Sequence, residues 1–435
     1  MAREMKDSGI PWIGQIPADW TLKRIKFLHN GEANSFVDGD WIESPYITNF
    51  GIRYLTTGNI GDGIFKRQGN GYITDETFKK LNCKFAYPGD LVISRLNAPY
   101  GRACILPFDE EKYVLAVDIV ILRTNENKLF LCYLMQCEGY QNIVQDGTKG
   151  TTMKRISRTN LGNVVLPIPP YDVQNVIADF LNKKYAKIDA VLEKTRTSIE
   201  EYKKLKQAII TQAVTKGVRG DRPMKESGIE WVGRIPADWD VRRIKTLFSL
   251  RDERNTLPLA EVNLISLYTD QGVVQHADLE KTTGNKASNA DGYKKVYQND
   301  IIVNIILCWM GAIGRSDFDG VTSPAYDVYI PTDEIESRFY HYYFRTIGFS
   351  GDCYKRGRGI MAMRWRTYSD QFRDIPVVFP PIGEQQAVVK YLDKMCSQID
   401  ALIAKKEEVV SELESYKKSL IYEYVTGKKE VDQYD

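Results

Sequence analysis

IDAVLEKTRTSIEEYKKLKQAIITQAVT, residues 188–215, places Ile188, Leu192, Thr195, Ile199, Tyr202, Leu205 and Ile209 at spacings of three and four. That period predicts a helix with one apolar seam, and no glycine or proline interrupts it. IDALIAKKEEVVSELESYKKSLIYEYVT, residues 399–426, repeats the design 211 residues later. Ile399, Ile403, Lys406, Val410, Leu413, Tyr416 and Leu420 take the matching places. Two seams of equal length and register predict mutual burial as a two-helix coiled coil. At 1.5 Å per residue, about 28 residues make a rod of roughly 42 Å. Thr195 and Lys406 are weak points on that seam, where the packing is expected to loosen.

Working outward, the whole chain is an internal duplication, and this sets its organisation. MKDSGIPWIGQIPADWTLKRIK (5–26) matches MKESGIEWVGRIPADWDVRRIK (224–245). Trp12, Trp20, Trp231 and Trp239, flanked by turn formers, are expected to anchor these segments onto their neighbours. FAYPGDLVISRL (85–96) reads as a turn into a buried strand, YVLAVDIVILRT (113–124) as a second β-rich run, and LFLCYLMQCEGYQNIV (129–144) as helical. VYQNDIIVNIIL, SPAYDVYIPT and SRFYHYYFRTI return in the same order in the second copy. Between these landmarks the copies diverge: residues 49–84 bear little likeness to 259–295. The reading is an α+β chain with a shared frame and variable parts. Its expected segments are a first domain (1–168), a first spacer helix (169–217), a second domain (218–379), and a second spacer helix with a tail (380–435).

Composition bounds the class. The chain has 435 residues, 59 basic against 57 acidic, and a net charge of +2. A polybasic protein that coats nucleic acid is therefore excluded, and any such affinity must come from locally clustered charge. The seven cysteines are scattered and no C-x-x-C occurs, so neither a disulfide framework nor a zinc ribbon is expected. The first residues carry no apolar core, and no run of 18 apolar residues exists, so a cytoplasmic protein that does not span a membrane is expected.

Each copy closes with a basic loop, a strand and a Pro-Pro bend: GTKGTTMKRISRTNLGNVVLPIPP (147–170) and GRGIMAMRWRTYSDQFRDIPVVFPP (357–381). YDVQNVIADFL and IGEQQAVVKYL then lead into the long helices. This order, present twice, resembles the specificity subunit of type I restriction-modification enzymes. The likeness covers nearly the whole chain and is carried by SGIPWIGQIPADW, PIPPYDVQNVIADFL with KIDAVLEK, and PPIGEQQAVVKYLDKMCSQIDALIAKKEE. It implies two target-recognition domains, each reading half of a split, asymmetric sequence in double-stranded DNA. It also implies a helical spacer that sets the gap and docks two methyltransferase subunits, with restriction/translocase subunits joining them. The subunit itself would be non-catalytic and carry no cofactor. S-adenosylmethionine, ATP and Mg would belong to its partners. Antiparallel pairing of the spacer helices is expected, because it leaves one domain at each end.

The basic loops are the leading contact candidates. Lys149, Thr151, Thr152, Lys154, Arg155 and Arg158 combine phosphate donors with small hydroxyls, and no acid interrupts 149–158. Lys355, Arg356, Arg358, Arg364 and Arg366 do the same in the second copy. Phosphate contacts would hold register and an arginine could read guanine. Arg95, Asn97, Tyr100 and Arg102, and in the second copy Asn304, Trp309 and Arg315, are further candidates. The plain alternative for the basic runs is a solvated charged face. His29, His276 and His341 lack metal-ligand spacing, so no metal site is expected. No phosphate-binding G-x-x-x-x-G-K-[ST] loop occurs. IPPY (168–171) lacks the Asn that opens the adenine-methyltransferase motif, so it reads as a bend and no catalytic residue is assigned. The competing function is a scaffold whose two domains hold proteins and never touch DNA.

Overall fold

The computed structural model describes residues 3–150, 154–269, 271–276, 289–359 and 365–432. The chain forms two compact units, Met1–Thr195 with Glu408–Asp435, and Arg196–Glu407. Both division points fall inside long helices, Tyr171–Lys216 and Ile382–Val425. Each unit therefore consists of one globular head and a portion of both helices, which regroups the four segments drawn from the sequence.

In the first unit the frame is an antiparallel sheet in the order Phe36–Asp38, Ile119–Leu122, Leu91–Ser94, Ala103–Ile105. Residues 91–94 and 119–122 are buried throughout, which is why they read as unbroken apolar runs. Leu91, Ile93, Val120 and Leu122 pack with Phe130, Leu134 and Tyr140. The opposite residues, Val92, Ile119 and Ile121, meet Leu55, Tyr113 and Leu115 of a second, mixed sheet. Two expectations change here. Residues 113–124 are not one strand: Tyr113–Leu115 lies in the mixed sheet, parallel to Ile52–Leu55, and Ile119–Leu122 lies in the frame. The corner between them is closed by the Ile119 N–H on the Ala116 carbonyl, 2.9 Å. The helical run 129–144 is likewise two helices, Lys128–Leu134 and Glu138–Asp146, because Cys137 is extended and starts the second.

The second unit repeats the frame in the order Phe248–Leu250, Tyr326–Pro331, Ile301–Asn304, Ile313–Arg315, backed by helices Ser337–Phe344 and Ile347–Arg356. Where the first unit has a four-stranded mixed sheet, the second has two ribbons, Ile265–Tyr268 with Gly272–Gln275 and Lys294–Val296 with Gly320–Thr322. The duplicated tryptophans are anchors, as their flanking turns predict. Trp20 and Trp239 are fully buried. Trp12 and Trp231 lie against Gly139 and Gly348, where a Cβ would come within 2.4 and 2.2 Å of the ring, so only glycine fits.

Each head is tied to its helix by one buried glutamine. The Gln174 amide donates to Glu126 (2.6 Å) and the Pro169 carbonyl (2.9 Å), and accepts from the Asn127 N–H (2.8 Å). Gln385 donates to the Glu334 (3.2 Å) and Pro380 (2.8 Å) carbonyls and accepts from the Glu336 N–H (2.9 Å). That accounts for a glutamine four residues after each Pro-Pro pair, amid apolar positions.

Within each unit the two long helices run antiparallel. In the first, Phe180 meets Tyr424 (ring centroids 4.5 Å apart), while the Tyr185 hydroxyl donates to the Lys417 carbonyl at 2.8 Å. In the second, Lys206 pairs with Asp400 at 2.7 Å and the Lys406 ammonium sits 5.6 Å from the Tyr202 ring. Ile188, Leu192, Ile199 and Ile399 are buried, and Tyr202, Ile209, Ile403, Val410 and Leu413 are partly so. Leu205 and Tyr416 are 48% and 50% exposed, and Lys206 and Lys417 turn inward instead. The seam keeps a strict four-three alternation, 199, 202, 206, 209 and 410, 413, 417, 420, so apolar identity loses to register at those two places.

Candidate nucleic-acid interface

Both basic loops fold back as hairpins on the same part of the frame. In the first unit Thr148–Lys149 pairs with Arg155–Ile156. The Ile156 N–H donates to the Arg95 carbonyl, 3.1 Å, just past strand Leu91–Ser94. In the second unit Arg358 and Arg366 exchange backbone hydrogen bonds of 2.8 and 3.0 Å, and the Thr367 N–H donates to the Ile305 carbonyl, 2.9 Å, just past strand Ile301–Asn304. Ile156 and Thr367 stand 211 residues apart, so the duplication extends to this hook.

The hairpins and the helix ends that adjoin them present Lys149, Lys154, Arg155 and Arg158 in one unit, and Lys355, Arg356 and Arg358 in the other, all exposed, with Arg366 half-buried. Thr151, Thr152 and Arg364 lie outside the described residues. Carboxylates temper this charge. Asp118 accepts from Arg155 at 3.2 Å, Asp38 lies 3.6 Å from Arg158, and Lys355 meets Glu230 at 2.5 Å. Asp374 accepts from Arg243 and Lys245, whose hydrogen bonds and charges hold its carboxyl at about 2, and Arg356 lies 3.8 Å away.

Three arginines expected at the contact surface turn inward, and this corrects the candidate set. Arg95 donates to the Ile156 and Val117 carbonyls (3.0 and 2.7 Å) and lies 3.1 Å from Asp38. Arg102 donates to the carbonyls of Ile60, Leu96, Asn97, Pro99 and Thr57, at 2.6 to 3.3 Å. Arg315 bonds Asn299, Ser337 and Asp317, with its side chain 12% exposed. Each guanidinium is spent on carbonyls and side chains of its own unit, as a buried cation requires. Asn304 is buried too, accepting from the Ile306 N–H at 3.0 Å. Asn97 stays exposed, Tyr100 is half-buried, and Arg102 joins their loop to residues 57–60 beside the first hairpin.

The arrangement suits binding a polyanion by edges and offers little for covalent chemistry. His341 accepts the Arg315 N–H at 3.1 Å, and burial together with nearby Arg345 pushes its pKa down to about 4. All seven cysteines are buried and unpaired, and no cluster of potential metal ligands occurs among the described residues. No helix among them is long and apolar enough to cross a membrane.

The second unit also carries an apolar groove of about 700 Å³, lined by Gln207, Ala208, Thr211, Trp231, Val232 and Ile347 among others. In the first unit Tyr422 stands where Thr211 does, and its hydroxyl donates to the Trp12 carbonyl at 3.2 Å. Sequence reading missed this groove. It also missed the aromatic cluster beside the second hairpin, apart from Trp309.

The family described as type I restriction modification DNA specificity domain matches residues 30–201 and 236–412. A putative type I restriction enzyme MjaX specificity subunit from Methanocaldococcus jannaschii is 25% identical over 439 residues, 96% of this chain and 95% of its own length. The EcoBI specificity subunit of Escherichia coli is 23% identical over 266 residues, 53% and 50% of the two chains. A chain from a structural study of complex assembly and conformational transition of the type I R-M system shares the fold with a TM-score of 0.70 at 13% identity, covering 95% of this chain and 99% of its own. The HsdS subunit of Thermoanaerobacter tengcongensis does so with a TM-score of 0.54 at 15% identity, covering 95% and 98%.

Proposed function

The chain belongs to the type I restriction-modification DNA specificity family, and from that premise we propose that each of its two units reads one half of a split, asymmetric duplex DNA target. The chain is the recognition subunit, not a catalytic one. The observation that carries the reading is the pair of basic hairpins hooked at equivalent points onto duplicated frames, next to parts that differ between the copies. Lys149, Lys154, Arg155, Arg158, Lys355, Arg356, Arg358 and Arg366 supply the phosphate contacts, and the divergent segments supply the difference in sequence read.

The long helices act as an antiparallel coiled-coil spacer that sets the gap between the halves. The repeated segments dock two methyltransferase subunits, one of them on the groove beside Trp231, and restriction subunits join through these. S-adenosylmethionine, ATP and Mg reside on those partners, and the assembly works in the cytoplasm.

Gel shift of the assembled methyltransferase complex tests this. Arg155→Ala and Arg366→Ala are each expected to weaken binding to the mapped target, most at low salt, because each removes a phosphate contact and so flattens the salt dependence. Unchanged binding by both would favour a protein scaffold and overturn the reading.

A further inference from the structure

Beside the second hairpin, Trp365 stacks on Tyr354 (centroids 5.0 Å apart, planes at 23°), and Trp309 meets the same tyrosine at 5.6 Å. Both indole N–H groups are already used. Trp365 Nε1 donates to the Tyr354 carbonyl at 3.1 Å, and Trp309 Nε1 to the Ile306 carbonyl at 2.9 Å. What this patch offers outward is therefore largely hydrocarbon, and Tyr354 and Met310 are 50% and 52% exposed. Trp365 packs directly on the backbone of Gly357, where a Cβ would come within 2.2 Å of its Nε1. Arg356 and Arg358 flank Gly357 in the chain, and Arg366 follows Trp365. Among the described residues the first unit has no counterpart. Counted from the matching Gly139 and Gly348, Gln145 stands where Tyr354 does, Lys154 takes the place of Trp365, and the loop tip is Asn97-Ala98-Pro99.

An apolar platform whose chain neighbours are cations meets one apolar group when a duplex settles on it in the major groove, the C5 methyl of thymine. Every other base-edge feature there is a hydrogen-bond donor or acceptor. Resting on the DNA-reading function above, we propose that the second unit recognises its half-site in part through a thymine methyl packed on the Trp365–Tyr354–Trp309 platform and Met310. The first unit reads its half without such a contact. The cations position the backbone, and the platform selects thymine over cytosine at one position.

The test uses the full chain assembled with its methyltransferase subunits and the target mapped by methylation. In competition binding, deoxyuridine replaces each thymine of either half in turn, which removes only the methyl. One replacement in the second unit's half is expected to weaken binding about fivefold, and none in the other half to do so. Met310→Ala is expected to narrow this ratio, and Trp365→Ala with Met310→Ala to bring it close to one while the complex still requires the first half-site. Equal binding at every replaced position, or a second half without thymine, would overturn the proposal. So would an unchanged ratio in both variants, or a rise in 2-aminopurine fluorescence without any effect of deoxyuridine, which would indicate insertion between base pairs. In all of these outcomes the complex still binds its target specifically, so the DNA-reading function would stand. Absence of any sequence-specific binding would overturn both.

Discussion

Arg102 and Arg155 look alike in the sequence and do opposite work in the structure. Arg102 is buried on five carbonyls, some more than 40 residues away in the chain, whereas Arg155 is half exposed on a hairpin strand. Arg102→Ala is expected to cost about 3 kcal/mol or more in chemical denaturation, since it strands buried acceptors. Arg155→Ala should stay within about 0.5 kcal/mol while lowering the salt slope of DNA binding by about one. An acid-free basic run was legible as a surface feature. The fate of isolated arginines was not, because their partners are backbone atoms brought in by the fold. The duplication supplies its own control at Trp239, whose Nε1 donates to Glu384 at 2.9 Å while Arg222 pairs with the same carboxylate. In the first copy Val173 takes the place of Glu384, and the Trp20 N–H has no partner among the described residues. Burial alone would raise the Glu384 carboxyl, but the Arg222 and Trp239 hydrogen bonds hold it below its ordinary 4.5. Its contribution is thus present above that value and lost as pH falls. Glu384→Val should destabilise the second unit by about 3 kcal/mol at neutral pH, whereas Glu384→Gln, which keeps one hydrogen bond to the indole, should cost less. His341 adds a second acid-sensitive term. Its pKa falls from 6.5 to about 4 on folding, so the unfolded chain binds the extra proton between those values. Stability of the second unit should therefore fall as pH drops from about 6.5 towards 4, and His341→Gln should flatten that part of the profile.

At the scale of elements, the paired helices are held by register more than by composition. Ile199 is 6% exposed and Leu205 48%. Ile199→Ala is expected to cost about 2 to 4 kcal/mol and Leu205→Ala less than about 0.5, as read by thermal unfolding. Equal losses would mean that the seam runs through Leu205. The sequence suggested Leu205 because it is apolar and three residues from Tyr202, but the seven-residue alternation places Lys206 there, where Asp400 pairs with its ammonium. Corners inside apolar runs were equally hidden. Residues 113–124 are apolar on both sides of Asp118, Tyr-Val-Leu-Ala-Val before it and Ile-Val-Ile-Leu after it, so alternation gave no sign that the chain changes sheets. The Pro-Pro-to-helix junctions were clear from their prolines, but the role of the glutamine after them emerges only from its three hydrogen bonds. Gln385→Leu, close in volume, leaves the Glu336 N–H and two carbonyls without the amide and should loosen head from helix, visible as faster amide exchange at residues 334–336.

For the whole molecule, the duplication legible from Met5 and Met224 onward accounts for most of the architecture: two like frames, two hairpins, and two long helices each divided between the units. What it left out is where the copies part, a mixed sheet in one and two ribbons with an aromatic platform in the other. Those parts share no packing pattern between the copies, so no internal repeat reports on them. The central claim is that two independent readers are kept at a set separation by the paired helices. Mapping methylated sites for a complex whose specificity chain carries one extra heptad in each long helix, after Thr195 and after Glu407, tests it most directly. The account predicts both half-sequences unchanged and the unspecified gap between them longer. Altered half-sequences, or the original gap retained with full methylation, would contradict it.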